Sequence, residues 1–217
     1  MPDKAEPLSD QFDPARVLNS EVVFDGAVWD IRRDRFAFGG DTLVREYVEH
    51  PGAVAILALD DEENVVLIKQ YRHPVQVLGW EIPAGLLDVT GEDPLVAAQR
   101  ELAEEVDLTA ADWSVLAEFF TTPGSSNEAI RIYLARGLRA TDEAFARTGE
   151  EAGMETRRVP LDEVVDAVLD RRVQNPSLVV GVLAAQVARS RGWQGLGAAD
   201  APWRWRAAGQ SPGDSGR

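Results

Sequence analysis

The sequence predicts an α/β domain built on a mixed β-sheet, with a small antiparallel β extension in front of it. Three observations carry this. Residues 19–51 contain short alternating runs broken by Asp25-Gly26 and Gly39-Gly40-Asp41, which read as antiparallel strands joined by turns. From Gly52 the pattern changes to longer apolar runs, Ala53 to Leu59 and Val65 to Tyr71, of the kind found in strands buried on both faces. Between Gly79 and Leu108 an apolar strand ends at Trp80-Glu81-Ile82-Pro83, a loop follows, and Asp93-Pro94 opens a helix with a capping residue and a proline at its first position.

In chain order, residues 1–18 are polar and rich in Pro and Asp, a flexible arm. Glu21 to Phe24, Ala27 to Phe38 and Thr42 to Glu49 are the three strands of the extension, a sheet too small to stand without a partner. The main domain spans 52–206, with a turn at Asp60-Asp61-Glu62-Glu63-Asn64 between its first two strands. Arg72 stands at a strand end, where it serves either a surface ion pair or a phosphate; His73 beside it reads as a loop or turn residue. Beyond the helix, Trp113 to Thr121 and Ala129 to Arg136 are strands joined by the polar loop around Pro123-Gly124-Ser125-Ser126-Asn127-Glu128. Residues 138–156 form a long, partly acidic loop. Leu161 to Leu169 is an amphipathic helix, Asn175-Pro176 caps another from Ser177 to about Ser190, and 207–217 is a low-complexity tail.

The formal charge of −15 over 217 residues argues against a nucleic-acid surface or an anionic membrane surface, because nothing offsets phosphate repulsion over a broad patch. An anionic small substrate then requires local arginines and a metal. There is no cysteine, so disulfides, zinc-thiolate sites and thiol nucleophiles are excluded, and with two histidines imidazole chemistry is scarce. No apolar leader or membrane-spanning run is visible, and a cytoplasmic location is the expectation.

On the helix opened by Asp93-Pro94, a rotation of about 100° per residue gathers Glu101, Glu104 and Glu105 on one face and puts Leu95, Ala98, Leu102 and Val106 on another. Such an acidic face is either simply solvated, at a few tenths of a kcal/mol of repulsion per pair, or a seat for a hard divalent cation that bridges to substrate phosphates. Clustered glutamates beside the glycine-containing loop at Gly85 suit the second use.

The run Gly85, Glu92, Arg100-Glu101-Leu102, Glu104-Glu105 and Leu108 resembles the signature box of the Nudix hydrolases, which cleave nucleoside diphosphates linked to another moiety. Pro123, fifteen residues beyond Leu108, is similar to a mark of the ADP-ribose pyrophosphatase branch. The resemblance implies a Nudix α/β/α sandwich, a homodimer formed through the N-terminal sheet, and Mg²⁺-dependent hydrolysis of ADP-ribose to AMP and ribose 5-phosphate, with Mn²⁺ as an alternative ion. It implies Glu101, Glu105 and the Ala84 carbonyl as metal ligands, with Arg100 and Glu92 holding the box carboxylates in place. Arg72, Arg45 and Trp29 become substrate contacts, Trp29 either stacking on adenine or belonging to the core. The general base falls to Glu151, with the neighbouring Glu150 as its alternate and Glu104 as a further catalytic carboxylate. Two other readings stay open: another nucleoside-diphosphate sugar as substrate, or a non-catalytic sensor of ADP-ribose. Two departures from the box are visible. Six residues separate Gly85 from Glu92, one more than usual, and Asp107 stands where the family has Gly, so that Asp107→Gly is expected to relieve about 1 kcal/mol of left-handed strain.

Overall fold

The computed structural model describes residues 7–145 and 153–209. The first half runs β1 (Arg16–Phe24), β2 (Asp30–Phe38), β3 (Asp41–Glu49), β4 (Ala53–Ala58), β5 (Asn64–Arg72), β6 (Val77–Glu81), β7 (Ala84–Leu86) and α1 (Pro94–Val106). The second runs β8 (Leu108–Phe120), β9 (Ala129–Ala140), β10 (Glu155–Pro160), α2 (Leu161–Leu169), α3 (Pro176–Ser190), β11 (Gly197–Ala198) and α4 (Arg204–Gly209).

Every residue of β4 is buried, and its period of two divides them between two cores: Ala53, Ala55 and Leu57 face one, Val54, Ile56 and Ala58 the other. Around it lies a mixed sheet in the order β11-β8-β9-β4-β7, with β4 parallel to β9 and antiparallel to β7. Helix α1 covers one face with Ala97, Ala98, Leu102 and Val106, while α3 covers the other with Leu178, Val182 and Ala185. A second sheet, β10-β5-β6, packs with them, and β1-β2-β3 forms a separate antiparallel sheet. This is the expected α/β/α arrangement with its N-terminal extension. Among the described residues no helix is long and apolar enough to cross a membrane.

Several element bounds differ from the sequence reading. β1 begins at Arg16 rather than Glu21, because seven residue pairs from Arg16↔Ala37 to Phe24↔Ile31 tie it to β2. β7, read as loop, forms because Ala53 and Ala55 pair with Leu86 and Ala84. β8 starts at Leu108, directly after α1, instead of at Trp113, and β9 runs on to Ala140. The segment 138–156 therefore loses both ends to strands, since Glu155 opens β10, whose charged sequence gave no strand signal and whose order comes from pairing with β5. Residues from Arg204 to Gly209 are helical, so the expected tail is not wholly irregular.

Asp107 explains the abrupt start of β8. It adopts φ 56°, ψ 40°, the left-handed conformation expected of it, and its N–H donates back to Ala103 O at 3.0 Å. Its other groups are also engaged: the carbonyl accepts from Thr141 N–H (3.0 Å) and Oδ1 from Phe145 N–H (2.7 Å). The residue is thus a clamp on the chain after β9, which corrects the expectation that glycine there is simply better.

Candidate functional site

The helix that carries the glutamates is fixed at its start by Asp93, which accepts from Leu95 N–H at 2.8 Å, with Pro94 in the first turn. Its position on the sheet is fixed by packing, and this brings Glu101 against Gly85. A Cβ built on Gly85 would lie 2.0 Å from Glu101 Cδ, so any other residue in β7 would push the carboxylate away. Glu105, one turn on, is only 4% exposed and accepts from Ala84 N–H at 2.9 Å. Ala84 thus meets the box through its amide.

Arg100 is the hub of the acidic edge. Its Nε and Nη2 each reach Glu92 at 3.1 Å, and its Nη1 reaches Glu101 at 2.6 Å and Glu104 at 3.0 Å. The bidentate bond to Arg100 holds the Glu92 carboxyl below its ordinary range, and Glu92 in turn, with Glu101 and Glu104, raises the guanidinium. The extra loop residue before Glu92 has therefore not displaced it from Arg100. Among the described residues no three His, Cys, Asp or Glu side chains converge as a ready-made metal cluster. The donors nonetheless suit a hard divalent cation: all are carboxylate oxygens, three of the carboxylates gather at Arg100, and Gly85 leaves the space that the Glu101 carboxyl occupies.

Arg72 lies at the end of β5 and forms a fork with Glu81, Nε to Oε1 at 3.0 Å and Nη2 to Oε2 at 2.7 Å. Glu81 is 3% exposed and pairs through β6 with β5, so the ion-pair reading of Arg72 is realised and its guanidinium stands half exposed above a buried carboxylate. His73 sits in a short 3-10 turn and packs edge-on to Tyr71, in keeping with a turn residue.

Arg45 lies elsewhere, on β3, where Nη1 donates to Val44 O at 2.7 Å. With Tyr47 and the loop residues Pro123 to Asn127 it lines a cleft of about 460 Å³. That cleft contains none of the α1 glutamates. Trp29 belongs to neither of its foreseen places in a simple way: it is 37% exposed, hence not core, and its ring stacks on His50 at 4.5 Å. Glu150 and Glu151 lie outside the described residues.

The NUDIX domain family matches residues 49–178, more than half of the chain and the whole of the glutamate edge. The chain belongs to the NUDIX family. Among its relatives, the ADP-ribose pyrophosphatase of Mycobacterium tuberculosis is 46% identical over 168 residues, covering 77% of this chain and 81% of that one. The ADP-ribose pyrophosphatase of Bacillus subtilis is 33% identical, covering 79% and 92%. The methanol dehydrogenase activator of Bacillus methanolicus is 35% identical with the same coverage. A solved structure described as an ADP compounds hydrolase superposes with a TM-score of 0.69 at 23% identity, over 85% of this chain and 99% of that one, which supports the NUDIX fold. NUDIX ADP-ribose pyrophosphatases generally use a divalent metal.

Three groups of this NUDIX chain escaped the sequence reading. Glu81 was placed only as part of a strand end, although a carboxylate within an apolar run signals a buried partner. Arg131, 2% exposed, bonds Glu118 through Nε (2.8 Å) and Nη2 (2.5 Å) and reaches Ala201 O at 2.8 Å; an arginine inside Ala129-Ile130-Arg131-Ile132-Tyr133 carried the same signal. His50 had no local signal, since its partners come from distant segments.

Proposed function

We propose that this NUDIX hydrolase cleaves the diphosphate bond of ADP-ribose to give AMP and ribose 5-phosphate, with Mg²⁺ as the cation and Mn²⁺ as a substitute. The observation that carries the reading is the edge of α1, where Glu92, Glu101 and Glu104 gather around Arg100 beside Gly85, in a chain 46% identical to an ADP-ribose pyrophosphatase. Glu101 and Glu105, with the Ala84 carbonyl, would hold the cation, and Glu104 assists. When bound, the cation neutralises diphosphate oxygens and lowers the pKa of an attacking water. Arg100 keeps Glu92 and the helix carboxylates in register, a supporting task. Arg72, held upright by Glu81, presents donors to a substrate phosphate. The proton of the attacking water goes to Glu151, or to Glu150 if the register differs by one.

The nucleoside end is assigned to the cleft beside Arg45, and Trp29, stacked on His50, is assigned to the adenine. Because the cleft and the glutamate edge share no residue, we infer a homodimer in which one protomer's extension completes the other's site. The nine exposed residues of β1, among them Val17, Val22 and Phe24, are a face in need of a partner. A small-molecule substrate, the absence of nucleic-acid and membrane partners, and a cytoplasmic location complete the reading, with 1–18 an arm, 19–51 the dimerising extension, 52–206 the catalytic domain and 207–217 a tail. Another nucleoside-diphosphate sugar stays as the second reading, because relatives named GDP-mannose pyrophosphatase are 28% identical.

The test is turnover by the purified full-length protein of ADP-ribose, GDP-mannose and other nucleoside-diphosphate sugars, with Mg²⁺ and with a chelator. Release of AMP and ribose 5-phosphate, abolished by the chelator and fastest with ADP-ribose, is expected. Binding of ADP-ribose without turnover would favour a sensor instead.

A further inference from the structure

Where β3 ends, the strand meets two segments distant in sequence, Trp29 and the loop 121–128, at one residue. His50 is nearly buried, with 7% of its side chain exposed. Its Nδ1 accepts from Gly52 N–H at 3.0 Å, which leaves the proton on Nε2, and Nε2 stands 3.3 Å from Glu128 Oε1. Glu128 Oε2 accepts from Thr121 Oγ1 at 2.5 Å, so the carboxylate is held from both sides. The backbone N–H of His50 donates to Asn127 Oδ1 at 2.8 Å, and its ring lies against Trp29 at 4.5 Å with 23° between the planes. Val48 continues the lacing, its N–H donating to Ser125 O at 2.9 Å.

We propose that His50 is a positioning residue for substrate binding: it locks the loop 121–128 and Trp29 to the end of β3, and so sets the shape of the cleft between Arg45, Tyr47 and Asn127. The inference rests on the reading of that cleft as the seat of the nucleoside end. The lining supports it. Pro123 to Asn127 form one wall, Arg45 to Tyr47 the other, and the bonds that cross between the walls run through Val48 and His50. The loop is turned by its own bonds, Ser125 N–H and Ser126 N–H donating to Thr122 O, and its seat against β3 follows from the bonds through Val48 and His50. The imidazole suits the place because it alone offers a flat ring for Trp29, an acceptor for Gly52 and a donor for Glu128 on opposite sides. Burial holds the ring below its ordinary value, against the pull of Glu128, so it stays neutral in this role at neutral pH.

The His50 side chain acts through Gly52, Glu128 and Trp29, its backbone N–H through Asn127, and neither touches a reacting atom, so the loss of these contacts should fall on binding. The experiment is steady-state kinetics of the full-length protein with ADP-ribose and Mg²⁺ for wild type, His50→Ala, His50→Gln, Asn127→Ala and Arg45→Ala, each with its melting midpoint. His50→Ala and Asn127→Ala should raise KM by about tenfold, the scale of one or two lost hydrogen bonds, with kcat within about threefold. His50→Gln keeps a donor toward Glu128 and an acceptor toward Gly52, and should return KM to within about threefold of wild type. If His50→Ala does not fold, Asn127→Ala decides. The proposal is overturned if kcat falls while KM stays, or if His50→Ala and Asn127→Ala both leave KM within about twofold while Arg45→Ala raises it. An unchanged KM in Arg45→Ala overturns the reading of the cleft, and the proposal with it. Should ADP-ribose not be turned over at all, the proposed activity falls, and calorimetric affinity for AMP across the same variants decides on His50 by the same criteria.

Discussion

Two arginines on one face of the central sheet make opposite use of carboxylates. Val54 pairs with Gly85 on one side and with Arg131 on the other, so the Arg131 pair lies roughly 10 Å, two strand spacings, from the edge where Arg100 works. Arg131 has one carboxylate, Glu118, and fills its remaining capacity with Ala201 O and the face of Trp203 at 5.0 Å. The charges balance, and the group pins the segment after β11 to the sheet. Arg100 faces Glu92, Glu101 and Glu104 together, on a third-exposed side chain at the edge of the sheet. Carboxylates gathered at such an accessible edge suit a divalent cation. The contrast is one of access: the Arg131 pair is closed off from solvent, the Arg100 cluster is open to it.

Breaking the closed pair should therefore damage the fold most. Arg131→Ala leaves Glu118 without its buried partner and is expected to cost about 3 to 5 kcal/mol in denaturant unfolding, whereas loss of a merely exposed pair would cost below about 1 kcal/mol. On the open side the largest kinetic effect outside the box is expected at the proposed base. Glu151→Gln should lower kcat at least about a hundredfold with ADP-ribose affinity nearly unchanged, and Glu150→Gln less; the reverse order would shift the role by one residue. Smaller still is Asp107→Gly. Relief of about 1 kcal/mol of backbone strain is offset by loss of the bond to Phe145 N–H, worth about the same, so the melting midpoint should move by less than about 3 °C. A clear rise would show that the clamp contributes nothing.

The smallest effect is a pH dependence. Folded His50 takes up a proton less readily than its unfolded value of 6.5, because burial outweighs Glu128. Its contribution is complete above that value and is lost as the pH falls below it, since the unfolded chain then binds the extra proton. Between about pH 7 and about pH 5 the melting midpoint of wild type should fall more than that of His50→Gln. Glu92 follows at lower pH: its depressed carboxyl supports the fold above its ordinary 4.5 and ceases to do so as the pH falls through its folded value.

What the sequence made legible were features decided within a few residues. The cap at Asp93, the carboxylate face of α1 and the buried β4 follow from spacing and local sterics, the left-handed Asp107 from the family's glycine at that place, and all are present. The contacts that escaped join residues across strands. Glu81 meets Arg72 only because β5 and β6 are in register, Arg131 meets Glu118 only through β8 and β9, and Trp29 meets His50 across the open end of the β2–β3 hairpin. β10 was missed because its residues are charged, while its order comes from the backbone of β5. Side-chain pattern reports burial; it does not report which neighbour the topology supplies.

The central claim is that the open charge of the α1 edge serves metal-dependent hydrolysis, and Glu105→Gln tests it most directly. The substitution keeps the oxygen that accepts from Ala84 N–H and the size of the side chain, and removes only the charge. With ADP-ribose at saturating Mg²⁺, kcat is predicted to fall more than about a hundredfold while the melting midpoint stays near that of wild type. A variant that keeps near-normal turnover would contradict the assignment of this edge as the catalytic centre.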